Sequence, residues 1–150
     1  MIDYFEFYKK VSLFEIATIK AIKSSRKKSG DFIVGVKLGD AYKDVLESKF
    51  KFTDIDWGKE PFSNFSILRT NPPKKLKEIG DGIEFETTPT LNVDDWAGFL
   101  TSFHQVRHNL VHGAKLMMGL NLDERDKLLI SACLSFIKFM QDEKFIEDLY

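Results

Sequence analysis

Trp96-Ala97-Gly98-Phe99-Leu100-Thr101-Ser102-Phe103-His104-Gln105-Val106-Arg107-His108-Asn109-Leu110-Val111-His112-Gly113 decides the fold of this chain. At about 100° per residue, Trp96, Phe99, Leu100, Phe103 and Leu110 share one stripe, all within about 60° of its centre. That spacing predicts an amphipathic helix from Trp96 to about His112. Asn92 or Asp94 supplies its cap, Asp94 and Asp95 suit its positive end, and Gly113 offers a stop.

Outward from this segment the chain reads as helical at both ends. Asn121-Leu122-Asp123-Glu124-Arg125-Asp126 opens a second capped helix. It carries Leu129, Cys133, Phe136, Ile137 and Met140 inward and is expected to run on toward 145–150. Its broad apolar face predicts burial within the domain or against a second subunit. Toward the N-terminus, Tyr4, Phe7, Tyr8, Val11, Phe14 and Ala17 predict a helix from about Asp3 to Lys28, with Gly30 just past its end. A further helix is expected from Asp40 to Phe50, with Ala41, Val45 and Leu46 facing in. Residues 32–38 fit either a short strand or a buried connection.

The middle, Lys51 to Leu91, is the irregular part and holds all four prolines, Pro61, Pro72, Pro73 and Pro89. A short helix at Lys74–Ile79 and a strand at Ile83–Thr87 are expected there. A long irregular stretch in a small domain suggests a functional insertion. The fold class expected is all-α: a single domain over 1–150, a four- or five-helix bundle with a central insertion at 51–91 and room for a small β-hairpin.

Bulk properties narrow the function. One hundred and fifty residues make one domain, and 43% apolar content with 14 phenylalanines is enough for an aromatic core. No apolar run approaches the roughly 20 residues that span a bilayer. The acidic start and the lone Cys133 favour a reducing, cytoplasmic setting, with Cys133 buried rather than reactive. A net charge of -1 argues against a generally basic nucleic-acid binder, although Lys9-Lys10, Arg26-Lys27-Lys28 and Lys74-Lys75 with Lys77 form local patches.

The chemistry concentrates on the helix quoted above. Arg107 falls about 20° from the Trp96 direction, inside the apolar stripe. A buried guanidinium must meet a carboxylate, reach an open cleft, or face a symmetric partner. His104, His108 and His112 form a column beside it. Eight residues rise about 12 Å, so the three cannot bind one metal ion in a straight helix. His104 reads as a partly exposed helix residue with a satisfied nitrogen. His112 sits at the fraying end, where it can leave ideal geometry; on a perfect helix it points about 140° away from Arg107. Arginine and histidine together supply a fixed positive charge and a proton carrier near neutral pH, the two needs of metal-free phosphodiester cleavage.

Arg107-His108-x-x-x-His112 resembles the signature of the HEPN superfamily (higher eukaryotes and prokaryotes nucleotide-binding domains). Gly113-Ala114-Lys115 and the Glu124-Arg125-Asp126-Lys127-Leu128-Leu129 helix start are similar to bacterial members. The specific part of the likeness covers roughly Asn92 to Met140. It implies a four- or five-helix bundle that dimerises so that two motifs face one cleft. It also implies a metal-independent endoribonuclease, often in toxin–antitoxin or antiviral systems, with an antitoxin or defence protein as partner and no cofactor.

On these positions the resemblance makes His112 the proton-transfer residue and Arg107 the phosphate holder. His108 orients its neighbours or the substrate, and Asn109 and Lys115 assist substrate binding. Attack by the RNA 2′-hydroxyl implies a 2′,3′-cyclic phosphate product. Two other expectations stand beside this one: a non-catalytic HEPN-like binding or assembly module, and a zinc-dependent hydrolase using His104, His108 or His112.

Overall fold

A computed structural model describes residues 4–73, 76–80, 82–85, 93–111 and 124–147. Among them the chain is mainly helical. The elements are α1 (Tyr4–Ala21), β1 (Arg26–Ser29), β2 (Phe32–Val36), α2 (Leu38–Lys49), α3 (Ile67–Thr70), β3 (Leu76–Ile79), β4 (Gly82–Phe85), α4 (Trp96–Val111) and α5 (Glu124–Asp142). No helix among the described residues is long and apolar enough to cross a membrane.

Helical spacing in the sequence becomes one shared core. Phe7, Val11 and Phe14 of α1 meet Tyr42 and Leu46 of α2, Phe99 and Phe103 of α4, and Ile130, Cys133 and Phe136 of α5, all essentially inaccessible to solvent. Burying one such side chain is worth about 1.5–3 kcal/mol. Burial also pushes the Cys133 thiol up, so it stays protonated and packs as a small apolar group. The expected inward residues of α2 are corrected in part. Tyr42 and Leu46 face in, whereas Val45 is 48% exposed.

The N-terminal helix stops earlier than expected. Its last turn runs into a 3-10 turn at Lys23–Ser25, and Lys27-Lys28 lie in a strand rather than a helix end. The reason lies downstream: Phe32–Val36 pairs antiparallel with Arg26–Ser29, and Gly30 takes φ +59° in the connecting turn. A pairing across the turn outweighs the local helical pattern. Residues 32–36 are therefore a strand, and an exposed one, since Phe32, Ile33 and Val34 all face solvent.

The middle of the chain is packed more deeply than an insertion would be. Phe52, Trp57 and Phe65 surround Trp96 and Phe99; Trp57 stacks on Phe99 at 5.8 Å between centroids, and Phe65 meets Phe99 edge-on at 5.7 Å. The Ser102 hydroxyl donates to the Leu68 carbonyl at 2.6 Å, fixing α3 against α4. Residues 52–71 thus complete the core. The expected helix at Lys74–Ile79 is corrected: Leu76–Ile79 is a strand paired with Gly82–Phe85 around Gly80 at φ +58°. The expected strand Ile83–Thr87 begins at Gly82 and its described part ends at Phe85; residues 86–92 lie outside the described residues.

The C-terminal helix begins at Glu124 and ends at Asp142 rather than running to residue 150. Lys144 adopts φ 63°, and the Phe145 and Lys144 amides donate back to the Met140 and Gln141 carbonyls at 2.9 and 3.0 Å. This left-handed residue with paired reverse bonds is a Schellman stop. The Phe145 ring closes over Phe139 at 6.4 Å.

Candidate functional site

Asp95 starts α4: its carboxylate accepts from the Gly98 amide at 2.7 Å, one residue past the nearer of the two caps expected from the sequence. From that start, the buried positions are Trp96, Phe99, Leu100, Ser102, Phe103, Val106, Asn109 and Leu110. Their arc is wider than the apolar stripe alone, because Ser102 and Asn109 are buried polar residues. It is centred near Phe99, Phe103 and Val106, so Arg107 lies about 80° from the centre rather than in the middle. Arg107 stands on the rim, with 27% of its side chain exposed.

Here Arg107 meets a carboxylate. Its Nε donates to Glu15 Oε1 at 2.8 Å, and Glu15 on α1 is only 11% exposed. Burial pushes the Glu15 carboxyl above its usual range, and the Arg107 charge and hydrogen bond pull it back down. Nearby, the Tyr8 hydroxyl donates to the Leu110 carbonyl at 2.8 Å. This bond ties α1 to the last described turn of α4. Glu15 with Arg107 and Tyr8 with Leu110 place α1 antiparallel to α4.

Arg107, His104 and His108 share one side of α4, at i+3 and i+4 spacing, and line a cavity of about 280 Å³. Glu15 forms part of its wall, and the opposite wall is Lys27, Val34, Gly35 and Val36 of the β1–β2 hairpin. The cavity therefore gathers two fixed cations, one carboxylate and two imidazoles. Even with both imidazoles neutral, it carries one positive charge in excess, suited to an anion. Both imidazoles are engaged by neighbouring groups.

The expected site residues separate into three groups. Arg107 and His108 come together in the cavity wall, joined by His104, a half-buried helix residue with a neighbouring partner. Asn109 goes elsewhere: it is 6% exposed, accepts from Gln105 Nε2 at 2.7 Å, and points about 160° from Arg107 around the helix. Asn109 is not among the residues that line the cavity. His112, Gly113 and Lys115 lie outside the described residues.

Glu15 and Lys27 are the charged cavity residues that the sequence did not bring to this site. Glu15 sits 92 residues from Arg107, beyond any local spacing rule. Its one signal was position, since on α1 it falls beside Tyr8, Val11 and Thr18, toward the buried side. Lys27 was visible only as part of a charge run. Among the described residues, no group of three or more His, Cys, Asp or Glu side chains could hold a metal ion. No protein-family model, curated protein or solved structure matches this chain.

Proposed function

We propose that this chain is a metal-independent endoribonuclease of HEPN type, acting as a dimer in which two Arg107/His112 pairs share a cleft. The observation that carries the reading is the cationic cavity at the motif: Arg107, His104, His108 and Lys27 around one carboxylate, at about 280 Å³. That size is near the lower end of small-ligand clefts and suits a phosphate with part of its sugar.

In this scheme the RNA 2′-oxygen attacks the adjacent phosphorus and gives its proton to a base. The bond from phosphorus to the 5′-oxygen breaks, and that oxygen takes a proton. The products are a 2′,3′-cyclic phosphate and a 5′-hydroxyl. Arg107 offsets the charge that builds on the non-bridging oxygens. Glu15 holds the Nε donor, which fixes the guanidinium fork beside the cavity. His112 transfers the proton, and His108 orients the substrate. A role in toxin–antitoxin or antiviral defence follows from the resemblance, with an antitoxin or defence protein as partner.

One observation favours a second reading, a non-catalytic HEPN-like binding or assembly module: the Arg107 charge is already met by Glu15. The two readings part on chemistry. Purified protein incubated with single-stranded and structured RNA in EDTA is expected to give fragments ending in 2′,3′-cyclic phosphate. An intact RNA pool, with Arg107→Ala acting only on thermal stability, favours the binding module.

A further inference from the structure

The β1–β2 hairpin is rooted firmly and carries three largely exposed apolar side chains toward its tip. At its root, Arg26 Nε donates to the Ile19 carbonyl at 2.8 Å, buried Ser25 donates to the Ile22 carbonyl at 2.6 Å, and the Lys37 amide donates to the Ser25 carbonyl at 2.6 Å. At its tip, Phe32, Ile33 and Val34 are 76%, 45% and 58% exposed. A two-stranded ribbon is marginal by itself, and three consecutive exposed apolar side chains on it call for an occupant.

Charge says which occupant. Residues 20–37 hold Lys20, Lys23, Arg26, Lys27, Lys28 and Lys37 against the single acid Asp31, in a chain whose net charge is -1. The face relations say how it would lie. Cross-strand partners share a face, so Lys27 opposite Gly35 and Ser29 opposite Phe32 stand on one side of the ribbon. Lys27 and Gly35 line the Arg107 cavity, and Phe32 lies one pleat repeat, about 6–7 Å, further out on that side. A bulge between Lys27 and Lys28 adds Val34 to the same cavity wall. Gly35 presents no side chain there, and the Lys27 side chain lies across it, so that a Cβ at Gly35 would stand 3.5 Å from Lys27 Cδ.

We propose that the β1–β2 hairpin is a single-stranded RNA-holding arm of the Arg107 cavity. Lys27 takes the phosphate next to the scissile one, and Phe32 stacks the base beyond it. An exposed aromatic beside a cationic strand is the usual platform for an unpaired base. The proposal deepens the ribonuclease reading and rests on it for the position of the scissile phosphate.

A fluorescein-labelled 2′-O-methyl oligouridylate, which cannot be cut because its 2′-oxygen is blocked, reports binding by anisotropy. Phe32→Ala is expected to weaken binding about tenfold and Phe32→Trp to restore it. Lys27→Gln is expected to lower the salt dependence by about one counterion. Wild-type affinity in Phe32→Ala overturns the arm, as does failure of the wild-type protein to bind. Conversion of a dimer to a monomer by Phe32→Ala in sedimentation, with affinity per subunit unchanged, also overturns it and makes the tip a protein interface. Cleavage of unmodified RNA separates the two readings. Hairpin-dependent binding without cleavage keeps the arm and removes the ribonuclease; cleavage with an unchanged KM in Phe32→Ala keeps the ribonuclease and removes the arm.

Discussion

Arg107 Nε donates to Glu15 Oε1 at 2.8 Å, joining α4 to α1 across 92 residues of sequence. The pair is intermediate between a surface bridge, worth under about 1 kcal/mol, and a buried one, whose disruption costs about 3–5 kcal/mol. Arg107→Ala is therefore expected to lower stability by about 1–3 kcal/mol in urea unfolding, and Arg107→Lys to recover part of that. An unchanged midpoint in Arg107→Ala would show that the pair contributes nothing to folding.

The same carboxyl gives a pH signature. Burial raises Glu15 above its usual 4.5 despite Arg107, so the folded protein holds this proton more tightly than the unfolded chain does. Its contribution to stability is greatest below pH 4.5 and falls as pH rises from there through the raised folded-state value. Glu15→Gln removes the titration. The stability of wild type relative to Glu15→Gln is thus expected to decline with rising pH across that window, and a flat difference would contradict it.

Phe65 tests whether the central segment is core. It is fully buried and touches the rings of Trp57, Phe62, Phe99, Phe136 and Phe139. Phe65→Ala is expected to cost about 3–5 kcal/mol in chemical unfolding. A loss under about 1 kcal/mol would mark residues 52–71 as a detachable insertion after all.

Lys144 carries the left-handed stop of α5 at φ 63°, a conformation that costs a non-glycine residue about 1–2 kcal/mol. Lys144→Gly is expected to raise stability by about 1 kcal/mol, reduced somewhat by the greater freedom of glycine when unfolded. A lower melting temperature in that variant would show that the Lys144 side chain matters more than its backbone.

What the sequence disclosed was whatever repeats at short range. The stripe of Trp96, Phe99, Leu100, Phe103 and Leu110, the start of α5 near Glu124 and the burial of Cys133 all follow from spacing within one helix. The β1–β2 hairpin hid because Lys27 and Lys28 suit a helix end as well as a strand; only their partners, Gly35 and Ile33, decide between the two. The site was half legible for the same reason. Arg107 and His108 announce themselves on one helix, while Glu15 and Lys27 reach the cavity through tertiary packing. Buried Ser102 and Asn109 rotated the true inner face of α4, and that rotation moved Arg107 from the core to the rim of an anion-suited cavity.

The most direct test of the central claim is single-turnover RNA cleavage in EDTA by His112→Ala, alongside its thermal unfolding. The account predicts a rate lower by about 10²–10⁴-fold, the usual worth of a positioned proton-transfer group, with an unfolding transition close to that of wild type. Cleavage by His112→Ala at the wild-type rate would contradict it.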